Sequence, residues 1–287
     1  MNNRPKVLIA GAGPTGLVMA HELARDGIHC RVVDKSPHRA MESRAIAIHS
    51  RTMETFELMR LADDFLGAGH RIAGVNVYGE SGRIAHAEFG MLDTRYPFVL
   101  GVPQDETERI LEEHLIRQGV RVERSTELVS VAQHDTGVAA RLTTGDRVEE
   151  VEADWLLGCD GAHSTVREHL GISFSGTMYP EHFVLADIRV DGGLDHDEAQ
   201  VSLHRKGRIG VFPASGGSLA TRRHQLAHRL AGPTQPRAVP GTGRRAWPQP
   251  SPARRSTLVG GIPHSSAGGG AFSGGPGVSA WRCSAHP

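Results

Sequence analysis

The sequence predicts an α/β fold in which a parallel sheet is interleaved with a second, mostly antiparallel sheet and is followed by a disordered C-terminal tail. Three observations carry this prediction. A glycine-rich turn, Gly11–Gly16, follows an apolar run near the N-terminus. A second turn, Gly158–Arg167, follows another apolar run much later in the chain. After Gly217 the apolar patterning stops and the composition changes abruptly.

The first turn belongs to a predicted strand–helix–strand unit. Val7–Ala10 is a short apolar run of the kind found in buried parallel strands. A helical pattern spans Pro14–Arg25, and Gly27 is placed to end it. The next strand, Cys30–Asp34, completes the unit. This order of elements is typical of a Rossmann-like fold that binds a dinucleotide.

The glycines of this turn have separate roles in such a unit. Gly11 allows the tight turn, Gly13 leaves room for a pyrophosphate at the backbone, and Gly16 lets the helix pack closely on the sheet. The N-terminal amides of the helix would hold the phosphates. Asp34 follows at the spacing expected for the acid that binds the adenosine ribose. A secretory signal is not expected, because the glycines and Pro14 interrupt the apolar stretch.

Two further helices are expected between the turns. Residues 41–66 carry a helical pattern whose inward residues are Met53, Phe56, Met59 and Leu61. The other helix opens at Asp105, directly after Gln104, and Glu108 is expected to complete a capping box.

Strands account for most of the remaining pattern up to residue 217. Residues 74–100 and 174–212 are expected to form the mostly antiparallel sheet. A hairpin is expected to pair residues 138–142 with residues 148–151. Ala153–Gly158 returns to an apolar strand, which we expect to join the parallel sheet and to deliver the second turn.

The second turn combines a carboxylate with a cationic side chain. Asp160 can accept hydrogen bonds from hydroxyl or amide groups, and Arg167 supplies a fixed positive charge. Such a pair can form part of a phosphate site. A structural Asp–Arg pair that only braces the turn would give the same pattern.

Composition sets further limits. Cys30, Cys159 and Cys283 show neither metal-ligand spacing nor a disulfide framework, so we expect no metal site and a reducing, cytoplasmic location. No stretch approaches the length of an apolar membrane span. Residues 1–217 contain all 32 acidic residues and 23 Lys plus Arg, whereas residues 218–287 contain nine Arg and no acid. This basic, Pro- and Gly-rich tail is expected to be disordered, and its few aromatic residues argue against a nucleic-acid arm.

The two turns together resemble the class A flavoprotein aromatic hydroxylases. These are FAD monooxygenases of the para-hydroxybenzoate hydroxylase type, and the phenol and aromatic-polyketide hydroxylases are the most similar. The resemblance covers about residues 4–217 and implies FAD and NADPH (or NADH) as cofactors. The cofactor-binding residues that it implies are Gly11, Gly13, Pro14, Thr15, Gly16, Asp34, Lys35, Arg44, Gln104, Asp160, Gly161, Ser164 and Arg167. It implies no catalytic side chain, because the cofactor carries the chemistry.

The resemblance also implies a division of the chain and a reaction. Residues 1–73 and 101–172 would form a discontinuous FAD-binding domain, residues 74–100 and 173–217 part of a substrate domain, and residues 218–287 a tail. The implied reaction is hydroxylation of a small aromatic substrate, phenolic or polyketide, with O2 as the oxygen donor. No nucleic-acid or membrane partner is expected, and the oligomeric state stays open.

Two features depart from the family pattern. Asp34 stands where glutamate is commoner, although both residue types can bind a ribose. A third motif, a Gly-Asp pair that holds the ribityl-phosphate side of the flavin, is not found, and residues 218–287 contain no such pair. One hypothesis is therefore a truncated or frameshifted chain, which would be a catalytically defective FAD-binding remnant. A nicotinamide-dependent dehydrogenase without flavin would share the first turn, and a flavin-dependent halogenase or reductase would share the whole scaffold.

Overall fold

Four β-sheets and the helices that cover them make up the part of the chain that the computed structural model describes. The described residues are 4–40, 45–189, 195–205, 207–214, 223–229, 257–267 and 278–279. In chain order, the helices are α1 (Pro14–Arg25), α2 (Ser50–Leu58), α3 (Ala62–Ala68), α4 (Gln104–Arg117) and α5 (Thr165–His169). The strands are β1 (Val7–Ala10), β2 (Cys30–Val33), β3 (Ala47–Ile48), β4 (His70–Ile72), β5 (Gly74–Gly79), β6 (Gly82–Glu88), β7 (Val99–Gly101), β8 (Val122–Glu123), β9 (Thr126–His134), β10 (Gly137–Thr144), β11 (Arg147–Ala153), β12 (Trp155–Gly158), β13 (Gly176–Arg189), β14 (Glu198–His204), β15 (Gly207–Ala214), β16 (Arg223–Arg229), β17 (Thr257–Ala267) and β18 (Val278–Ser279).

The parallel sheet has the strand order β18-β12-β1-β2-β8, with β1 at its centre. All four residues of β1 are buried, because both faces of this strand are covered. Val7 and Ile9 belong to the apolar core on one face, and Leu8 and Ala10 belong to the core on the other. The predicted strand–helix–strand unit is confirmed. The strand predicted over Ala153–Gly158 joins the same sheet through Trp155–Gly158, whereas Ala153 is the last residue of β11 and pairs with Val138.

The second core lies between the parallel sheet and an antiparallel sheet of order β11-β10-β9. The predicted hairpin is confirmed, since Val138–Thr144 of β10 pairs antiparallel with Arg147–Ala153 of β11. Arg31 of β2 joins the two sheets through paired hydrogen bonds to Glu123 of β8 and Glu149 of β11, at 2.6–2.8 Å. These two carboxylates hold the pKa of Arg31 above its ordinary value, so the cation is permanent.

The face of the parallel sheet that is turned away from β9–β11 is covered by helices α1, α2, α3 and α4. The four residues expected to point inward from residues 41–66 are all buried: Met53, Phe56, Met59 and Leu61. Phe56 of α2 stacks on Phe65 of α3 with the ring centres 4.1 Å apart. This pair holds the two short helices together, because aromatic rings bury large areas and gain further from stacking.

The α1–α4 contact contains a buried histidine. His21 is only 2% exposed, and its ring centre lies 6.3 Å from that of His114 on α4. Its Nδ1 lies 3.2 Å from Glu22 Oε1, and its Nε2 lies 3.2 Å from Gln118 Nε2. Burial lowers the pKa of His21 below its ordinary value of 6.5, against the weaker opposing effect of Glu22.

The second large sheet has the order β17-β13-β16-β15-β14-β5-β6. Only the β14–β5 pair in it is parallel, so the expectation of a mostly antiparallel sheet from residues 74–100 and 174–212 is confirmed. One segment differs. β7 leaves this sheet and pairs with β3 and β4 in a small antiparallel sheet. The pairing of β7 depends on contacts with residues far away in the sequence, since Gly101 packs against the carbonyl oxygen of Pro213. A local sequence pattern does not indicate such contacts.

Three segments of the predicted disordered tail are strands in the structure. β16 lies between β13 and β15, β17 lies beside β13, and β18 lies beside β12. β17 and β18 lie at sheet edges, where an extended segment can pair with open backbone groups whatever its side-chain pattern, so the sequence did not indicate them. β16 is paired on both sides, with β13 and with β15. The other residues of the tail lie outside the described residues. Among the described helices, none is both long enough and apolar enough to cross a membrane.

We expect His21 to make the stability of the protein depend on pH. Since its folded-state pKa is depressed, its neutral form is favoured in the folded state, and the free energy of unfolding falls as the pH drops below about 6.5. His21→Gln should lose less stability between pH 7.5 and pH 5 than the parent, measured by urea denaturation at both pH values. The exposed His163→Gln serves as the control, and equal pH dependence of the parent and His21→Gln would contradict this prediction.

Candidate cofactor-binding site

The two glycine-containing turns lie side by side at one edge of the parallel sheet. Ala10 at the end of β1 pairs with Gly158 at the end of β12. The Cys159 N–H donates to the Ala10 carbonyl oxygen at 2.7 Å, and the Gly11 N–H donates to the Val33 carbonyl oxygen at 2.8 Å. The carboxyl ends of β1, β2 and β12 therefore meet at this edge, which is where parallel α/β sheets bind ligands.

Two glycines of the first turn are required by the packing of the chain itself. Gly11 has a φ of +98°, and a Cβ there would lie 2.3 Å from the carbonyl oxygen of Cys159. A Cβ on Gly16 would lie 1.9 Å from the carbonyl oxygen of Gly11. Neither position can hold a side chain unless the backbone moves, so these glycines set the distance between α1, β1 and the second turn.

Gly13 differs from its two neighbours. Apart from Gly13 itself and its two chain neighbours, no atom in the described part of the chain lies within 4 Å of the place where its Cβ would be. Gly13 is the N-cap of α1, and Pro14 and Thr15 form the first turn of that helix. The first N–H groups of a helix lack partners within the helix and attract anions. The open space at Gly13 therefore fits the approach of a phosphate group, as the sequence predicts.

Asp34 anchors the first turn from the end of β2. Its Oδ2 accepts from the Ala12 N–H at 2.6 Å, and its Oδ1 accepts from the Ser36 N–H at 2.7 Å. A carboxylate has about four acceptor sites, so these two bonds leave capacity for a ribose hydroxyl. The side chain of Lys35 is exposed beside it. Asp34 thus stabilises the turn, a structural role that the sequence did not indicate. Its contact with a ribose stays a prediction.

Asp160 carries a buried oxygen that the chain does not satisfy. Its Oδ2 accepts from the Val166 N–H at 3.2 Å, whereas its Oδ1 is buried without a hydrogen-bond partner among the described residues. An unpaired buried acceptor costs about 1–3 kcal/mol. Gly161 follows with a φ of +76°, which permits the sharp turn. The orphaned oxygen fits a ligand that brings a hydroxyl or amide donor, and the residues present therefore fit a dinucleotide.

Ser164 and Arg167 stabilise the second turn and place a cation at its rim. Ser164 Oγ accepts from the Arg167 N–H at 3.0 Å and caps α5. Arg167 Nη1 donates to the Ala162 carbonyl oxygen at 2.7 Å, and the guanidinium lies 4.7 Å from the ring centre of Phe174. Asp160 and Arg167 therefore brace the turn through separate backbone groups. The sequence did not indicate that Phe174 stacks with Arg167, because Phe174 lies outside the turn and no motif marks it.

Asp105 and Glu108 do not form the expected capping box, because Asp105 lies inside α4 and does not open it. α4 begins at Gln104 with Pro103 as its N-cap. Proline has no backbone N–H, so Pro103 cannot donate the hydrogen bond that the carboxylate of a capping box accepts. The capping-box prediction is therefore wrong. Glu108 instead accepts from Gln104 Nε2 at 2.9 Å and from the Ala40 N–H at 3.0 Å. Arg44, the remaining predicted cofactor residue, lies outside the described residues.

Residues 4–238 match the family described as the FAD binding domain. The chain belongs to this family. The resemblance to flavoprotein aromatic hydroxylases is confirmed by the proteins that share this FAD-binding domain. The chain is 38% identical over 211 residues to 6-methylpretetramide 4-monooxygenase of Streptomyces rimosus, which corresponds to 73% of this chain and 38% of the relative. It is 36% identical over 179 residues to pentachlorophenol 4-monooxygenase of Sphingobium chlorophenolicum, which corresponds to 61% of this chain and 33% of the relative.

A solved structure shows the same similarity in three dimensions. The crystal structure of aklavinone-11 hydroxylase in complex with FAD and aklavinone superposes with a TM-score of 0.70 at 25% identity, covering 93% of this chain and 54% of that one. The chain thus spans about half of that enzyme's length and less than two-fifths of the length of the two curated relatives.

We expect substitutions at Gly13 and Gly16 to separate binding from folding. Gly13→Ala should weaken FAD binding at least about tenfold, because the methyl group occupies the space that a phosphate needs. It should leave the melting temperature of the cofactor-free chain unchanged, since beyond the two chain neighbours no atom in the described part of the chain lies within 4 Å of the added methyl group. Gly16→Ala should lower the free energy of unfolding by more than about 2 kcal/mol, because its Cβ overlaps the Gly11 carbonyl. A fluorescence titration measures the FAD affinity of each variant, and thermal unfolding measures its stability. Equal FAD affinity in Gly13→Ala and the parent would contradict the placement of the phosphate at Gly13.

Proposed function

We propose that this chain is an NAD(P)H-dependent monooxygenase that uses FAD and O2 to hydroxylate a small aromatic substrate, phenolic or polyketide. One observation carries the proposal. The open backbone at Gly13 and the unsatisfied oxygen of Asp160 lie on adjacent turns of one sheet edge. A dinucleotide that brings a phosphate and a hydroxyl donor would satisfy both. The names of the relatives support a phenolic or polyketide substrate.

The residues of this edge would divide the cofactor between them. The first turn of α1, with Gly13, Pro14 and Thr15, would hold the pyrophosphate. Asp34 and Lys35 would lie at the adenosine end. The second turn would contribute a hydrogen-bond acceptor, the carboxylate of Asp160, and a cation, the guanidinium of Arg167. Gly161 and Ser164 would belong to the same part of the site. Gln104 and Arg44 would complete the set, as the family resemblance implies.

When bound, FAD supplies the electron transfer from the nicotinamide and the activation of O2. The chain's own side chains would bind and orient the cofactor and the substrate, and they would exclude water from the site. We therefore assign no catalytic side chain. Residues 1–73 and 101–172 would form the FAD-binding domain, and residues 74–100 and 173–217 would contribute the strands that wall the substrate pocket. A cytoplasmic location would supply the reduced nicotinamide.

Absorbance and turnover measurements on the purified full chain test this proposal. We expect the chain to bind FAD with a flavin absorbance spectrum, and to oxidise NADPH or NADH with O2 uptake that rises with a phenolic or polyketide substrate. A defective remnant would retain FAD without oxidising the nicotinamide. A dehydrogenase without flavin would oxidise or reduce nicotinamide and remain colourless. Either of these results would overturn the proposed reaction.

We expect Arg167 to matter more for reduction by the nicotinamide than for retention of FAD. Its side chain is only 18% exposed, and its guanidinium holds a permanent positive charge that an anionic dinucleotide would meet. Arg167→Ala should slow NADPH-driven flavin reduction at least about tenfold and change FAD affinity less than about threefold.

Stopped-flow absorbance gives the reduction rate, and a fluorescence titration gives the affinity. Arg141→Ala is the matched control, since Arg141 lies on β10 and pairs with Glu150. An unchanged reduction rate in Arg167→Ala would count against the assignment.

A further inference from the structure

Glu108 is a buried carboxylate to which the proposed reaction assigns no role. It is 3% exposed, on the inner side of α4. A carboxylate at such a position must be satisfied by hydrogen bonds or by a counter-charge. Its two oxygens have separate partners: Oε1 accepts from Gln104 Nε2 at 2.9 Å, and Oε2 accepts from the Ala40 N–H at 3.0 Å.

This pair of contacts determines how the Gln104 amide is turned. An ionised carboxylate only accepts hydrogen bonds, so Gln104 must direct its NH2 group, and not its carbonyl oxygen, at Glu108. The backbone N–H of Ala40 holds the other carboxylate oxygen in place. Gln104 lies at the first position of α4 and Glu108 one turn later, a spacing at which side chains meet on the helix surface.

We propose that Glu108 is a positioning residue that fixes the orientation of the Gln104 amide for contact with FAD. This inference rests on the proposed function, in which Gln104 contacts the cofactor. Orientation matters because rotating a side-chain amide by half a turn replaces an acceptor with a donor at the same point in space. Glu108 touches neither cofactor nor substrate in this arrangement and acts only through Gln104.

Glu108→Gln in the full chain tests the proposal. The new amide can donate as well as accept, so it no longer imposes one orientation on Gln104, and we expect FAD binding to weaken about tenfold. Glu112→Gln is the matched control. Glu112 lies on the same helix and pairs with Arg39 at 3.3 Å and Arg124 at 3.1 Å, so it contacts the same neighbouring stretch of chain as Glu108. Its substitution should change FAD affinity less than about twofold.

A double-mutant cycle on the FAD dissociation constant distinguishes positioning from a general structural effect. In a Gln104→Ala background, Glu108→Gln should change the constant less than about twofold, because the group through which it acts is gone. A tenfold effect that persists in this background would show a structural role and overturn the proposal. Gln104→Glu tests the same contact from the other side, by placing a second carboxylate against Glu108. It should weaken binding more than Gln104→Ala does, and affinity equal to the parent's would overturn the proposal.

The outcomes separate this inference from the proposed function. If the parent binds FAD and Gly13→Ala weakens binding while Glu108→Gln does not, the positioning role is wrong and the FAD site stands. If the parent does not bind FAD, both are wrong.

Discussion

The contact between the backbone of Gly11 and the backbone of Cys159 is the constraint on which the rest of the structure depends. The two turns approach so closely that a single methyl group at Gly11 would overlap the Cys159 carbonyl. Gly16 repeats the requirement on the other side, where α1 packs against the Gly11 carbonyl. Because of these contacts, a helix N-terminus, the end of β2 and the second turn converge on one edge. A dinucleotide site needs this convergence, and side chains alone could not produce it.

Around this edge, the fold is held by two apolar cores that share the central strand. Alternate residues of β1 face opposite cores, so the positions of the helical layer and of the β9–β11 sheet are both fixed relative to β1. Arg31 adds a polar connection, because its guanidinium joins strands of both sheets through two carboxylates. The first core contains α4, which also carries Gln104 and Glu108. The packing of α4 on α1 therefore sets the position of that polar pair relative to the first turn.

The sequence predicted those parts of the fold and site whose causes are local. The unit from Val7 to Asp34 has an apolar run, a glycine turn and a helical period within one short stretch, and the structure reproduces it. The local pattern places Glu108 in a capping box, whereas its second partner is the backbone of Ala40, far away along the chain. Phe174 and the pairing of β7 were missed for the same physical reason. A contact between distant residues depends on packing that periodicity does not encode.

The position of β1 between strands from different parts of the chain has a consequence for biosynthesis. β2 follows β1 closely, so this pair can form early, whereas β12 emerges from the ribosome only after residue 154 has been added. Until then, one edge of an entirely apolar strand has no permanent partner, and such edges attract other extended segments. Long-range parallel pairing of this kind is slow to form. The second turn, with Asp160, thus reaches the first turn only late in translation, and a nascent chain halted before Trp155 holds only the first of the two turns.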